Sequence, residues 1–109
     1  MPVAKSQYDY KSASEKKKII RLVSSIQEVK DERRYFQGIH KKLVIMIDKI
    51  PTKAENSYEV EVDENQGWRL HNLFYFFVDA KTYIIKYWAV AEDKDIPLTV
   101  WRKRRYADH

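Results

Sequence analysis

The chain of 109 residues contains no cysteine, two glycines, three prolines and three histidines. Without cysteine there is no disulfide framework and no thiolate metal site, so the fold rests on its own apolar core. The histidines, His40, His71 and His109, are scattered and show none of the short spacings of a metal centre. Neither a metal nor an organic cofactor is expected. Gly38 and Gly67 stand apart, which excludes a Walker loop and a glycine-rich dinucleotide turn. No Ser-His-Asp arrangement has a recognisable context. No apolar run approaches the roughly 18 residues of a membrane span. The amino terminus, Met1 to Ser6, lacks the apolar core of a secretory signal. These absences read as a soluble, cytoplasmic protein with no membrane partner.

What is present is an apolar fraction of 44%, a net charge of +5 and a pI near 9.3. Lengths near ~100 to 150 residues are the commonest for one domain, so residues 1–109 read as a single unit. The charge is unevenly spread. Residues 55–64 carry five carboxylates and no base, whereas Arg102-Lys103-Arg104-Arg105 is wholly basic. The surface is therefore expected to be bipolar, with a cationic pole suited to nucleic acid.

Residues 3–11 read as a short edge strand with Tyr8 and Tyr10 on one face. Ser12 followed by Glu15 is a capping box that opens a helix. Apolar residues at Ile19, Leu22 or Val23, Ile26 and Val29 continue it at helical spacing. A second stripe runs through Phe36, Ile39, Leu43, Met46 or Ile47 and Ile50 until Pro51. One unbroken helix would be roughly 55 Å long at ~1.5 Å per residue, so a helical hairpin broken within Asp31–Gly38 is expected, with Asp31 as an N-cap. The all-apolar run Leu43–Ile47 fits a buried helix, with a strand as the alternative.

From Tyr58 the period is two: Tyr58, Val60 and Val62 face one way, Glu59 and Glu61 the other. Further strands are expected over 68–78, 82–91 and 98–102, with a polar loop at 92–97. The basic residues 103–109 would form a flexible tail. A two-residue loop at Ala80-Lys81 would set Phe77 opposite Ile84 and Leu73 opposite Trp88. The expected class is α+β, order (β)ααββββ, with the helical hairpin on a curled antiparallel sheet of about four strands. Trp68, Phe74, Phe76, Tyr87 and Trp88 are assigned to the core.

This order of elements, from about Gln7 to Arg102, resembles the RelE/ParE toxin superfamily. The nearest local similarity is Tyr58-Glu59-Val60-Glu61-Val62, then Gly67-Trp68-Arg69-Leu70, then a strand ending in Phe77-Val78-Asp79. The resemblance implies either ribosome-dependent cleavage of messenger RNA or inhibition of gyrase, with an antitoxin protein as partner. It places RNA or the ribosome ahead of DNA as the target. It nominates Arg69 as the phosphate contact, with Arg102, Arg105 and Tyr106 standing in for a terminal arginine and tyrosine. Glu59 and Glu61 depart from it, because the ribonucleases of the family carry bases on that strand.

The candidate catalytic set is thus Arg69, with His71 or Glu61 moving protons. His71 otherwise reads as an ordinary sheet histidine. Arg102, Lys103, Arg104, Arg105 and Tyr106 form the candidate nucleic-acid grip, with Trp101 and Tyr106 stacking on bases; the plain alternative is a solvated tail. A non-catalytic module that binds nucleic acid or a protein is the competing function. A homodimer through the helical stripe is a further expectation.

Overall fold

A computed structural model describes residues 12–107. Within them the protein is α+β, with three helices and a five-stranded antiparallel sheet. The chain order is α1 (Ala13–Ser24), α2 (Gln27–Gly38), β1 (Lys42–Lys49), β2 (Ser57–Asn65), β3 (Leu70–Asp79), β4 (Ile85–Ala89), β5 (Lys94–Pro97) and α3 (Leu98–Ala107). Sheet order follows chain order, so the strands form a meander. The expected strand over residues 3–11 lies outside the described residues. No helix among the described residues is long and apolar enough to cross a membrane.

Helix α1 starts where Ser12 Oγ accepts from the Glu15 N–H at 3.2 Å. The reciprocal half of the capping box is replaced, because the Glu15 carboxylate accepts from the Tyr83 hydroxyl at 3.0 Å. The expected helical break is corrected. It falls at Ser25-Ile26, where Ser25 donates from its backbone to Arg21 and Leu22 and from its hydroxyl to Leu22. A serine competing for the backbone in this way ends a helix. Asp31, expected as an N-cap, sits inside α2 and accepts from the Gln27 amide.

The second correction concerns residues 39–50. Helix α2 stops at Gly38, and Leu43–Ile47 is strand β1. Lys41 N–H donates to the Phe36 carbonyl at 2.8 Å and His40 N–H to Gln37 at 3.2 Å. That double bond is a Schellman motif. It forces His40 into the left-handed region, φ 60. The apolar run beyond it is two-faced: Leu43, Ile45 and Ile47 pack on the core. Val44 and Met46, which alternate with them, point to the opposite face.

The core lies between the helices and one face of the sheet. Ile19, Val23, Ile26 and Val29 meet Tyr58, Val60, Val62, Phe74, Phe76 and Val78. A third correction falls at the end of the chain. Residues 94–97, expected as loop, are strand β5, and 98–107, expected as a strand and tail, are one helix. Trp101 anchors that helix on the core, stacked on Tyr87 at 4.4 Å and edge-on to Phe74 and Phe76. The β3–β4 register is two residues from expectation, with Phe77 opposite Lys86. Its connection is longer because Asp79 accepts from the N–H groups of Lys81 and Thr82 and folds the chain around Tyr83.

Candidate nucleic-acid interface

The last rung of the sheet joins Lys42, Asn65 and Leu70. Two connections meet beyond it. One is the Schellman turn carrying His40 and Lys41. The other is the β2–β3 turn, Gln66-Gly67-Trp68-Arg69, closed by Gln66 N–H donating to the Arg69 carbonyl at 3.0 Å. Gly67 takes φ +91, a conformation that glycine adopts without steric cost, and its N–H is caught by the Asn65 side chain at 2.8 Å. This places Trp68 at the apex, 78% exposed. Between the two connections is a cleft of about 610 Å³ lined by His40, Lys41, Lys42, Gln66, Gly67 and Trp68.

Arg69 is exposed beside it. Its guanidinium lies 4.8 Å from the centre of the Trp68 ring, and its Nε donates to the Gln66 side chain at 3.0 Å. Among the described residues no carboxylate pairs with it. Lys41 is different: its ammonium bonds Glu64 at 3.0 Å. That contact, with smaller help from Gln66 and His71, holds Glu64 below the usual carboxylate range. Lys42 and Arg69 are thus the cations most available to an incoming anion, and Trp68 is the ring beside them.

The three candidate catalytic residues are not brought together. His71 pairs with Glu64 across β2–β3, and Glu64 pairs with Leu43, which faces the core side. Glu61 is three residues earlier on β2 and pairs with Met46 and Tyr75 on the other face. Successive strand residues alternate faces. His71 and Glu61 therefore lie on opposite sides of the sheet, separated by roughly 10 Å along the strand. Arg69 and His71 do share the hairpin end.

Glu61 instead belongs to a carboxylate group with Asp48, Glu59 and Asp63. The hydrogen bond its protonated carboxyl donates to Asp63, partial burial and the charges of Asp63 and Asp48 raise its pKa to about 7. The Tyr75 hydroxyl lies 2.6 Å from Asp48 and 2.9 Å from Glu59, with one proton to donate to either, and Asn72 donates to Asp63 at 2.9 Å. Among the described residues no group of three or more histidines and carboxylates is arranged to hold a metal ion.

Two arginines of the expected basic grip are paired within the fold. Arg102 makes a two-pronged pair with Glu28 of α2 at 2.9 and 3.0 Å, and Tyr106 donates to the same carboxylate at 2.8 Å. Glu28 is 2% exposed. Burial pushes its pKa up, but the hydrogen bonds from Arg102 and Tyr106 outweigh that and hold it below the ordinary value. Arg104 pairs with Glu92, and Arg105 lies 5.5 Å over both Phe74 and Trp101. Lys103 is exposed. The roles of two tryptophans are exchanged relative to expectation. Trp101, assigned to stacking on bases, is 6% exposed, whereas Trp68, assigned to the core, is the exposed one.

His40, Lys41 and Lys42 were not marked as site residues by sequence reasoning. The signal was a His-Lys-Lys run two residues after a glycine, which a helical reading had absorbed. Comparison with family models, curated proteins and solved structures finds no match to this chain.

Proposed function

We propose that this protein binds single-stranded nucleic acid, RNA ahead of DNA, through the cleft at the β2–β3 tip, without itself cleaving it. The single observation that carries the reading is Trp68, 78% exposed at a turn apex between Lys42 and Arg69. An exposed ring gives a base a stacking partner, and flanking cations give its phosphates counter-charges. Only unpaired bases present a free face, which favours single strands. Glu61 lies on the face of the sheet opposite His71, three residues from the strand position that pairs with it, which speaks against its acting together with His71 and Arg69.

The test is fluorescence anisotropy with a labelled oligo-uridine 12-mer. Trp68→Ala is expected to weaken binding by about 1–3 kcal/mol, the range for one base–aromatic stack, with an unchanged melting temperature. Equal affinity in wild type and variant would sink the reading.

Arg69 and His71 at one hairpin end favour a second reading, a RelE/ParE-like toxin with metal-independent ribonuclease activity. Induced expression would then arrest growth and cut messenger RNA on ribosomes, and Arg69→Ala would abolish both. Growth without arrest and intact message would leave binding as the function.

A further inference from the structure

All three helices pack on the side of the sheet that carries Val60, Val62, Phe74 and Phe76. Among the described residues no helix covers the other side. Its centre is apolar and aromatic: Met46 from β1, Tyr75 and Phe77 from β3, Trp88 from β4. Phe77 bridges Tyr75 at 6.0 Å and Trp88 at 5.6 Å, ring centre to ring centre. A groove of about 510 Å³ runs along these rings, lined by Lys49, Glu59, Tyr75, Phe77, Trp88 and Val90. Beside the rings stand Asp48, Glu59 and Glu61, with Asp63 buried next to them at 1% exposure. The nearest base, Lys49, reaches Glu59 only at 4.0 Å. In a chain of net charge +5, this is a locally acidic face.

We propose that this face docks a cationic, amphipathic segment of another protein, its lysines or arginines over the carboxylates and its apolar side chains against Tyr75, Phe77 and Trp88. Charge complementarity selects that occupant. The carboxylates repel nucleic acid, and two copies of a chain at +5 repel each other, whereas a basic segment finds counter-charges on this face. The rings supply apolar area that a purely charged patch lacks.

The ionisation of Glu61 supports the same geometry. The groups facing it are Asp48 and Lys49 from β1, Glu59 and Asp63 from β2, and Tyr75 from β3. With its pKa raised to about 7, it holds a proton through much of the mildly acid range. A cation docked over it favours the carboxylate, so docking releases that proton and tightens as pH rises.

The experiment titrates a synthetic decapeptide of alternating arginine and leucine into the isotope-labelled full chain, with a glutamate–leucine decapeptide as control. The Trp88 indole signal and the β2–β3 amides are expected to shift with the cationic peptide alone. Affinity is expected to be three- to tenfold higher at pH 8 than at pH 6. A Glu59→Gln/Glu61→Gln double variant, which keeps side-chain volume, should bind at least tenfold more weakly. Several outcomes overturn the proposal: an unmoved Trp88, the same shift with both peptides, or undiminished binding by the double variant. A Trp88 shift on concentrating the protein alone would assign the face to a second copy. Binding that appears only after removal of residues 1–11 would assign it to the chain's own leading segment. Both would likewise overturn it.

Discussion

His40 is the residue at which stability and the candidate site conflict. The left-handed position of a Schellman motif ordinarily belongs to glycine, and an L side chain there costs roughly 1–2 kcal/mol. Here the helix ends at Gly38 and the left-handed position lies two residues beyond it, so it falls to a histidine that lines the cleft. His40→Gly is expected to raise stability in chemical denaturation by about 0.5–1 kcal/mol, the strain relief less the entropy of a freer unfolded chain. The same variant should bind oligo-uridine less tightly. A destabilised variant would show that His40 makes contacts worth more than its backbone strain. Two buried or half-buried carboxylates give opposite pH slopes. Glu28, depressed by Arg102 and Tyr106, contributes stability above the ordinary carboxylate value, and this is lost as pH falls through its folded value. Glu61 is raised from 4.5 to about 7, so the native state keeps a proton that the unfolded chain has released. Its contribution is full below about 4.5 and drains away by about 7. Glu61→Gln is therefore expected to gain stability relative to wild type between pH 5 and pH 8, read from urea midpoints. A difference that stays flat with pH would remove the Glu61–Asp63 coupling.

At the scale of elements, α3 is the part whose importance the sequence concealed. Trp101 stacks between Tyr87 and the Phe74–Phe76 pair, and Arg102 neutralises Glu28 across α2. Trp101→Ala is expected to cost about 3–5 kcal/mol, the range for emptying a buried aromatic site. Arg102→Ala should cost about 3 kcal/mol, the low end for stranding a buried carboxylate, since the guanidinium is itself partly exposed. Thermal melts of both variants check this; a loss below about 1 kcal/mol in either, within reach of ordinary surface changes, would return the helix to the status of a tail. The start of the first helix was legible because Ser12 and the apolar spacing of Ile19 and Val23 are local signals, whereas Ile26 and Val29 kept the same spacing across the break at Ser25 and hid it. Strands β2 and β3 were legible because alternation and turn residues are local too. Helix α2 and strand β1 were confused because a strand apolar on both faces loses its period of two, and Ile39 and Ile50 completed a helical stripe by coincidence. Strand β5 is four residues long, and α3 is held by contacts distant in sequence, from Trp101 to Phe74 and from Arg102 and Tyr106 to Glu28. The exchanged roles of Trp68 and Trp101 follow from the same limit. An aromatic in a strand pattern reads as core, and only the turn geometry at Gly67 reveals which one is left outside.

For the whole molecule the expected bipolarity takes a different form from that drawn from the sequence. Arg102 and Arg104 offset Glu28 and Glu92 within the fold, which leaves Lys42 and Arg69, without a carboxylate partner among the described residues, as a cationic spot at the β2–β3 tip. The acidic run of β2 is split by strand alternation: Glu59, Glu61 and Asp63 go to the open face, and Glu64 pairs with Lys41 at the tip. With two available cations, the affinity for single-stranded RNA should fall with salt at a log–log slope of about −1.4, and Lys42→Ala should flatten it by about 0.7. Titrations across 50 to 300 mM salt would show this; a slope unchanged in the variant places the phosphates elsewhere. The tryptophans report on three separate regions: Trp68 at the tip, Trp88 on the open face and Trp101 in the core. The most direct test is therefore the indole N–H spectrum of the labelled protein during titration with oligo-uridine. The account predicts a progressive shift of the Trp68 signal with Trp88 and Trp101 unmoved. A shift at Trp88 or along α3 while Trp68 stays in place would contradict it.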